Sequence, residues 1–224
     1  MIISSLIMKT IVVTFLALSE PDAGMKEISN ALDKLGPGHA IEVVNWAGYD
    51  NRPVVKFKIA YGPSEIYLKY YVTEPFTKAE YTRSNQAVYE DSCVEFFVRP
   101  DSSAVYYNFE FNAIGTCLMA VGPDRNSRQL MDPEIIAKIR RLGSLGDQPF
   151  TERKEGQSWE LTVAIPLEIF IGMDIRNLKG RSFRANLYKC GDKLSLPHYL
   201  SWNPIGTDKP DYHQPEFFGE IRFE

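Results

Sequence analysis

The chain has 224 residues, 44% of them hydrophobic and 24% charged, with a formal net charge of −4. That is enough apolar material for a sizeable core, and the acidic balance argues against nucleic acid or an anionic membrane as partner, since both select basic stripes. Neutral ligands remain open, and no Pro/Gly/Ser-rich linker or charge block divides the chain, so one domain over residues 1–224 is expected.

The first element reads two ways. The β-branched run from Thr10 to Thr14 suits a buried strand. The same apolar stretch after Lys9, ending in Ala17-Leu18-Ser19, also fits a short signal peptide, though it is too short to span a bilayer. The strand is the preferred reading, with Met8 an alternative start to Met1. A cytoplasmic location is then expected, or a secreted or periplasmic one if residues 1–19 act as a leader.

Further along, short runs of period-two alternation are separated by turn residues, the pattern of half-buried strands. A helix is expected from Met25 to Leu35, ending before Gly36, and a strand from Ala40 to Val44. Val55, Phe57 and Ile59 alternate with Lys56 and Lys58; beyond Gly62-Pro63-Ser64, Ile66, Leu68 and Tyr70 alternate with Tyr67 and Lys69, which makes a hairpin. Strands follow at Cys93–Val98, Tyr106–Ala113 and Thr116–Val121, then a helix at Pro133–Arg141 with Asp132 as N-cap, then strands at Trp159–Ile165, Ser182–Lys189 and Phe218–Phe223. The expected fold class is all-β: a two-sheet antiparallel β-sandwich with immunoglobulin-like or jelly-roll-like layers and one or two short helices. The long stretches 74–91, 122–132 and 191–217 exceed what hairpins need, and their aromatic content argues for ordered, functional loops.

Motifs for common catalytic sites are absent: no GxSxG, GxxxxGK[ST], HExxH or GxGxxG. His39, His198 and His213 lack the spacing of a zinc site, and Cys93, Cys117 and Cys190 read as free buried thiols. Asn108, Glu110 and Asn112 line one side of a strand whose other side is Tyr107, Phe109, Phe111 and Ala113. Asparagine is disfavoured in strands, and amide and carboxylate groups on a rigid sheet suit sugar hydroxyls. Trp202, among turn residues, is a candidate aromatic platform, as is Tyr89 just before the strand carrying Glu95, whereas Trp159 reads as core. Glu95 and Glu110 also form a carboxylate pair that a glycosidase could use as acid and base.

Several of these segments together resemble family 9 carbohydrate-binding modules and their DOMON-like relatives. They are Tyr89-Glu90-Asp91-Ser92-Cys93-Val94-Glu95-Phe96-Phe97, Tyr106 to Asn112, Trp202-Asn203-Pro204 and His213 to Gly219. The likeness runs from about residue 40 to the end. It implies a non-catalytic β-sandwich that holds a mono- or oligosaccharide between two facing rings, Tyr89 and Trp202. Glu95 and Asn112 would reach the hydroxyls, Asn108 and Glu110 would lie beside them, and the role would be linked to carbohydrate catabolism. Tyr89 stands where the resemblance expects tryptophan, and the arginine it expects has no assigned position. Calcium is implied as a possible cofactor, although no dense Asp/Asn loop marks a site. Two alternatives stay open: the Glu95/Glu110 hydrolase, and a haem- or partner-binding sandwich for which Met119, Met131 and Met173 would be candidate ligands.

Overall fold

The computed structural model describes residues 8–18, 23–101 and 103–224. In chain order come β1 (Thr10–Phe15), α1 (Met25–Asp33), the short β2 (His39–Ala40) and β3 (Val43–Val44), and the long hairpin of β4 (Val54–Tyr61) and β5 (Glu65–Glu74). Then follow β6 (Thr77–Ala79), β7 (Cys93–Arg99), β8 (Tyr106–Asn112), β9 (Cys117–Gly122), β10 (Gln129–Leu130), α2 (Pro133–Ile136), β11 (Arg140–Gly143) and β12 (Phe150–Arg153). The last strands are β13 (Gln157–Pro166), β14 (Ser182–Cys190), β15 (Tyr199–Ser201) and β16 (Gly219–Phe223).

Two layers result. One has the order β10-β9-β8-β7-β14-β16, the other β4-β5-β13-β11, and β1 joins them. Thr10 to Val13 pair with β16, while Thr14 and Phe15 pair with β4, both in parallel; the remaining ladders among the described residues are antiparallel. The β-rich Thr10–Thr14 run is therefore a strand, and the expected sandwich is the observed fold.

Alternation decides which side chains enter the space between the layers. Val94, Phe96 and Val98 of β7, Tyr107, Phe109 and Phe111 of β8, and Phe183, Ala185 and Leu187 of β14 meet Phe57, Leu68, Tyr70, Trp159 and Val163 of the facing layer in one core. Each large apolar side chain buried there contributes about 1.5–3 kcal/mol. Trp159 is core, as expected, and its indole N–H donates to Glu74 at 2.7 Å. Met119 and Met131 belong to the same core and Met173 packs against it.

Both outer faces are also covered, which alternation alone does not reveal. Ile28 and Leu32, one turn apart on α1, cover the second layer by packing on Ala60, Tyr67 and Ala164. The polar-looking positions Tyr67 and Lys69 are therefore buried rather than solvated. Over the first layer, Trp46, Val88, Ile205, Tyr212 and Phe218 from the long loops pack on Phe97, Tyr106, Leu118 and Tyr188 to form a second core.

Two expectations need correction, and one pair of short strands is unanticipated. The helix expected over Pro133–Arg141 stops at Ile136, because Arg140 to Gly143 pair with β13 and Arg140 forms a salt bridge to Glu65 at 2.6 Å. Asp132 does cap it, accepting from the Glu134 N–H at 2.8 Å. The strand expected over Ala40–Val44 is two bridges on different layers, β2 with β4 and β3 with β15. The short strands β6 and β12 pair with one another apart from both layers and lack the length for a periodic signal.

Between the layers lies a charged network. Lys189, on the inward face of β14, sits 2.8 Å from Glu74 with both side chains fully buried. Its ammonium also donates to the Cys190 carbonyl and to His198 Nε2, each at 2.8 Å. Because Nε2 accepts, the His198 proton belongs on Nδ1, which lies 3.2 Å from the Leu196 carbonyl. Burial, reinforced by the Lys189 charge, holds His198 neutral, with its pKa lowered to about 2.

Candidate functional site

The outward face of the first layer builds the floor of the site. Cys93, Glu95 and Phe97 of β7 point outward, as do Asn108, Glu110 and Asn112 of β8, and Tyr188 and Cys190 of β14. The register sets Glu95 directly opposite Glu110 on one side and Tyr188 on the other, and Cys93 opposite Cys190. Over this floor the loops leave a pocket of about 110 Å³, lined by Tyr89, Glu95, Glu110, Arg125, Arg128, Cys190, Asp192, Tyr199 and residues 210–213.

Buried hydrogen bonds pin these loops. Asp91, fully buried, accepts the N–H groups of Glu80 and Tyr81 at 3.0 and 3.1 Å and the Asn112 side-chain amide at 3.0 Å. Asn112 also donates to the Tyr81 carbonyl at 2.9 Å, and Ser92 Oγ accepts from Lys78 N at 3.1 Å. The Asp91-Ser92 part of the motif thus anchors segment 80–92 and fixes Tyr89 at the mouth of the pocket. On the other side, Asn203 and Asn186 bond each other through backbone and side chain at 2.9 and 3.0 Å, and the Asn203 amide donates to the Phe217 carbonyl at 2.7 Å. Tyr212 donates to the Lys189 or Leu200 carbonyl, at 3.0 and 3.1 Å, and stacks on Tyr188 with ring centroids 4.0 Å apart.

The electrostatics follow from burial. Glu95 and Glu110 are each 3% exposed. Burial raises both carboxyls above the ordinary range, and the Glu110 charge raises Glu95 further, while Arg128 partly offsets the effect at Glu110. Burial likewise raises Asp192 to about 6, partly offset by a hydrogen bond from Tyr199. Asn108 donates to Glu110 at 3.0 Å. Burial and the neighbouring Arg128 lower His213 to about 2, so the ring is neutral. Its Nδ1 lies 2.8 Å from the Tyr106 hydroxyl, and the Arg128 guanidinium reaches both ring nitrogens. Arg125 faces Asp211 at 3.8 Å.

Of the residues singled out in the sequence, Tyr89, Glu95 and Glu110 meet in this pocket. Asn108 and Asn112 lie fully buried beside and behind it, bonded to Glu110 and to the Asp91 loop. Trp202 does not join them and is a correction. It is 3% exposed, belongs to the core between the layers and meets Phe57 edge-on at 6.3 Å. Its backbone N–H donates to Leu187 O at 2.8 Å, which turns the indole inward, so Trp202 offers no ring to a ligand. The haem candidates Met119, Met131 and Met173 sit in or against that core and do not line the pocket. Residues missed by sequence reasoning are Arg125 and Arg128, Asp192 and Tyr199, and Asp211 and Tyr212, while His213 entered the site only as part of the family-like segment. Their signal was the length and aromatic content of loops 122–132 and 191–217, which marks a segment without saying which side chain points inward.

The side-chain cluster nearest to a metal-site geometry has donors unsuited to calcium. Among the described residues, the cluster of His, Cys, Asp or Glu side chains close enough to share an ion is Cys93, Glu95 and Cys190. Calcium takes six to eight hard oxygen ligands, and two thiols do not supply them. No helix among the described residues is long and apolar enough to cross a membrane.

Comparison with known proteins places the chain in a family. A protein of Bacteroides uniformis ATCC 8492 whose assigned role is a provisional one, carbohydrate binding, superposes with a TM-score of 0.93 at 38% identity, covering 97% of this chain and 100% of that one. Two structures of a family 9 carbohydrate-binding module from Caldicellulosiruptor kristjanssonii share the fold. The cellotriose complex gives a TM-score of 0.58 at 12% identity over 96% of this chain and 94% of that one. The glucose complex gives 0.52 at 13% identity, with 96% of each chain covered. A search of curated proteins finds no match. The model of Carbohydrate-binding family 9 matches residues 28–223, and the chain belongs to that family.

Proposed function

We propose that this protein binds a mono- or oligosaccharide in the pocket above β7, β8 and β14, and that it does so without catalysis, as a capture component linked to carbohydrate catabolism. The observation that carries the reading is a polar floor formed by Glu95, Glu110 and Asp192, bordered by tyrosine and arginine, in a chain of this family. Sugars combine hydroxyls with apolar C–H faces, and a pocket that mixes carboxylates, guanidinium groups and rings matches both. Tyr89 and Tyr199 supply the aromatic surface, and Trp202 drops out of that role. Glu95, Glu110 and Asp192 accept from hydroxyls while Arg125 and Arg128 donate. Asn108 and Asn112 act indirectly, by orienting Glu110 and the loop that carries Tyr89.

Binding is favoured over hydrolysis by the placement of the two glutamates. They are directly opposed on neighbouring strands, a spacing retaining glycosidases also use, but both are 3% exposed in the floor of the pocket and so meet one edge of a ligand, and the chain belongs to a carbohydrate-binding family. Isothermal titration with glucose, cellobiose, cellotriose and a panel of other sugars tests the proposal. Saturable binding by at least one sugar, weakened in Arg128→Ala and without product on prolonged incubation, is the expected result. Hydrolysis that disappears in Glu95→Gln and Glu110→Gln would overturn the non-catalytic reading.

A further inference from the structure

The outward face of β7 and β14 carries a feature that sugar recognition does not require. Cys93 and Glu95 are two residues apart on β7 and share a face, and the register sets Cys190 opposite Cys93. Glu95 Oε1 lies 3.1 Å from Cys190 Sγ and 3.9 Å from Cys93 Sγ. One ligand atom from each residue falls within 4.8 Å of the other two, and all three residues are buried. A tetrahedral zinc ion with Zn–S of about 2.3 Å and Zn–O of about 2.0–2.2 Å holds S and O about 3.5–3.7 Å apart and two sulfurs about 3.8 Å apart. The observed separations straddle the first of these values, and a strand ladder keeps the ligands in place without an induced fold.

We propose that Cys93, Glu95 and Cys190 form a binding site for zinc or a similarly thiophilic divalent ion. The donor set decides the class of ion: two thiolates select against calcium and magnesium and suit zinc. Glu95 and Cys190 line the pocket whereas Cys93 lies behind them, so the fourth position opens towards the pocket and is available to water or a ligand oxygen. Three protein ligands and one open position is the arrangement of zinc sites that keep a place for water or a bound molecule, not of closed structural ones. Two thiolates and a carboxylate leave the zinc site with one net negative charge, and Arg125 and Arg128 across the pocket offset it. The ligands also explain why these thiols face one another across a ladder when the third cysteine, Cys117, points into the core between the layers.

The site is tested on the full chain, purified under a non-thiol reductant, stripped with chelator and loaded with zinc or cobalt alone, with no sugar present. Elemental analysis after desalting should find one ion per chain. Cobalt should give the intense absorption of thiolate-to-metal charge transfer. Cys93→Ala/Cys190→Ala should retain no ion while its circular dichroism stays native. If that double variant does not fold, Cys190→Ala alone should weaken the cobalt thiolate absorption. An unloaded wild type, full retention of the ion in the variants, or a Cys93–Cys190 disulfide that persists under reductant would each overturn the proposal. Because no sugar enters the assay, its failure leaves the carbohydrate reading untouched.

Discussion

Replacing Lys189 by methionine tests the charged network between the layers. The change preserves most of the side-chain length but leaves Glu74, fully buried, facing a thioether where an ammonium stood 2.8 Å away. It also removes the donor to His198 Nε2 and to the Cys190 carbonyl. Removing one partner of a buried ion pair costs about 3–5 kcal/mol, because the other charge stays buried and uncompensated. For a chain of this size each kcal/mol moves Tm by about 2–4 °C, so a drop of roughly 6–20 °C is expected. The double variant Glu74→Gln/Lys189→Met should recover part of the loss, since no charge then remains to be desolvated. Urea unfolding followed by tryptophan fluorescence and far-UV circular dichroism measures both. A loss under about 1 kcal/mol in Lys189→Met, or a double variant as unstable as the sum of the single ones, would refute the reasoning.

Further outcomes follow from the same structure. His198 has a pKa of about 2 when folded against about 6.5 when unfolded, so between those values the unfolded chain binds the extra proton and stability falls with falling pH. The group contributes a loss of about 1.4 kcal/mol between pH 7.5 and 5.5, and denaturant midpoints should show a shallower decline in His198→Gln. Trp202→Ala should destabilise the fold by about 3–5 kcal/mol through the cavity it leaves, and Trp202→Phe should bind sugar as wild type does, measured by titration. Asp91→Ala should loosen segment 80–92, seen as faster amide exchange at Glu80 and Tyr81, because their N–H groups lose their acceptor.

Much of the sandwich was legible because period two is a direct consequence of strand geometry. The inward sets of β4 and β5 were readable as written, and so were Tyr107, Phe109 and Phe111 of β8 opposite Asn108, Glu110 and Asn112. What alternation cannot say is whether the polar side is wet. Tyr67 and Lys69 are covered by α1, and Glu95 and Glu110 by the long loops, and such coverage depends on contacts distant in sequence. The candidate site divides along the same line. Tyr89, Glu95 and Glu110 lie on or next to regular strands and could be found. Arg128 and Asp192 project from loops and Tyr199 from the short β15 within loop 191–217, and the direction of these segments is set by asparagine and aspartate anchors such as Asn203 and Asp91. Trp202 misled because turn residues around an aromatic suggest exposure, whereas its backbone bond to Leu187 turns the ring inward. The value of the Asp91-Ser92 and Asn203 motif residues is therefore architectural: they hold the loops that form the pocket.

The most direct test of the account is a crystal structure of the protein soaked with the sugar that titrates best. It predicts electron density for the sugar in the pocket, its hydroxyls within hydrogen-bond distance of Glu95 or Glu110 and its C–H face against Tyr89 or Tyr199. Sugar bound elsewhere on the surface, with the pocket free of it at saturating concentration, would contradict the assignment.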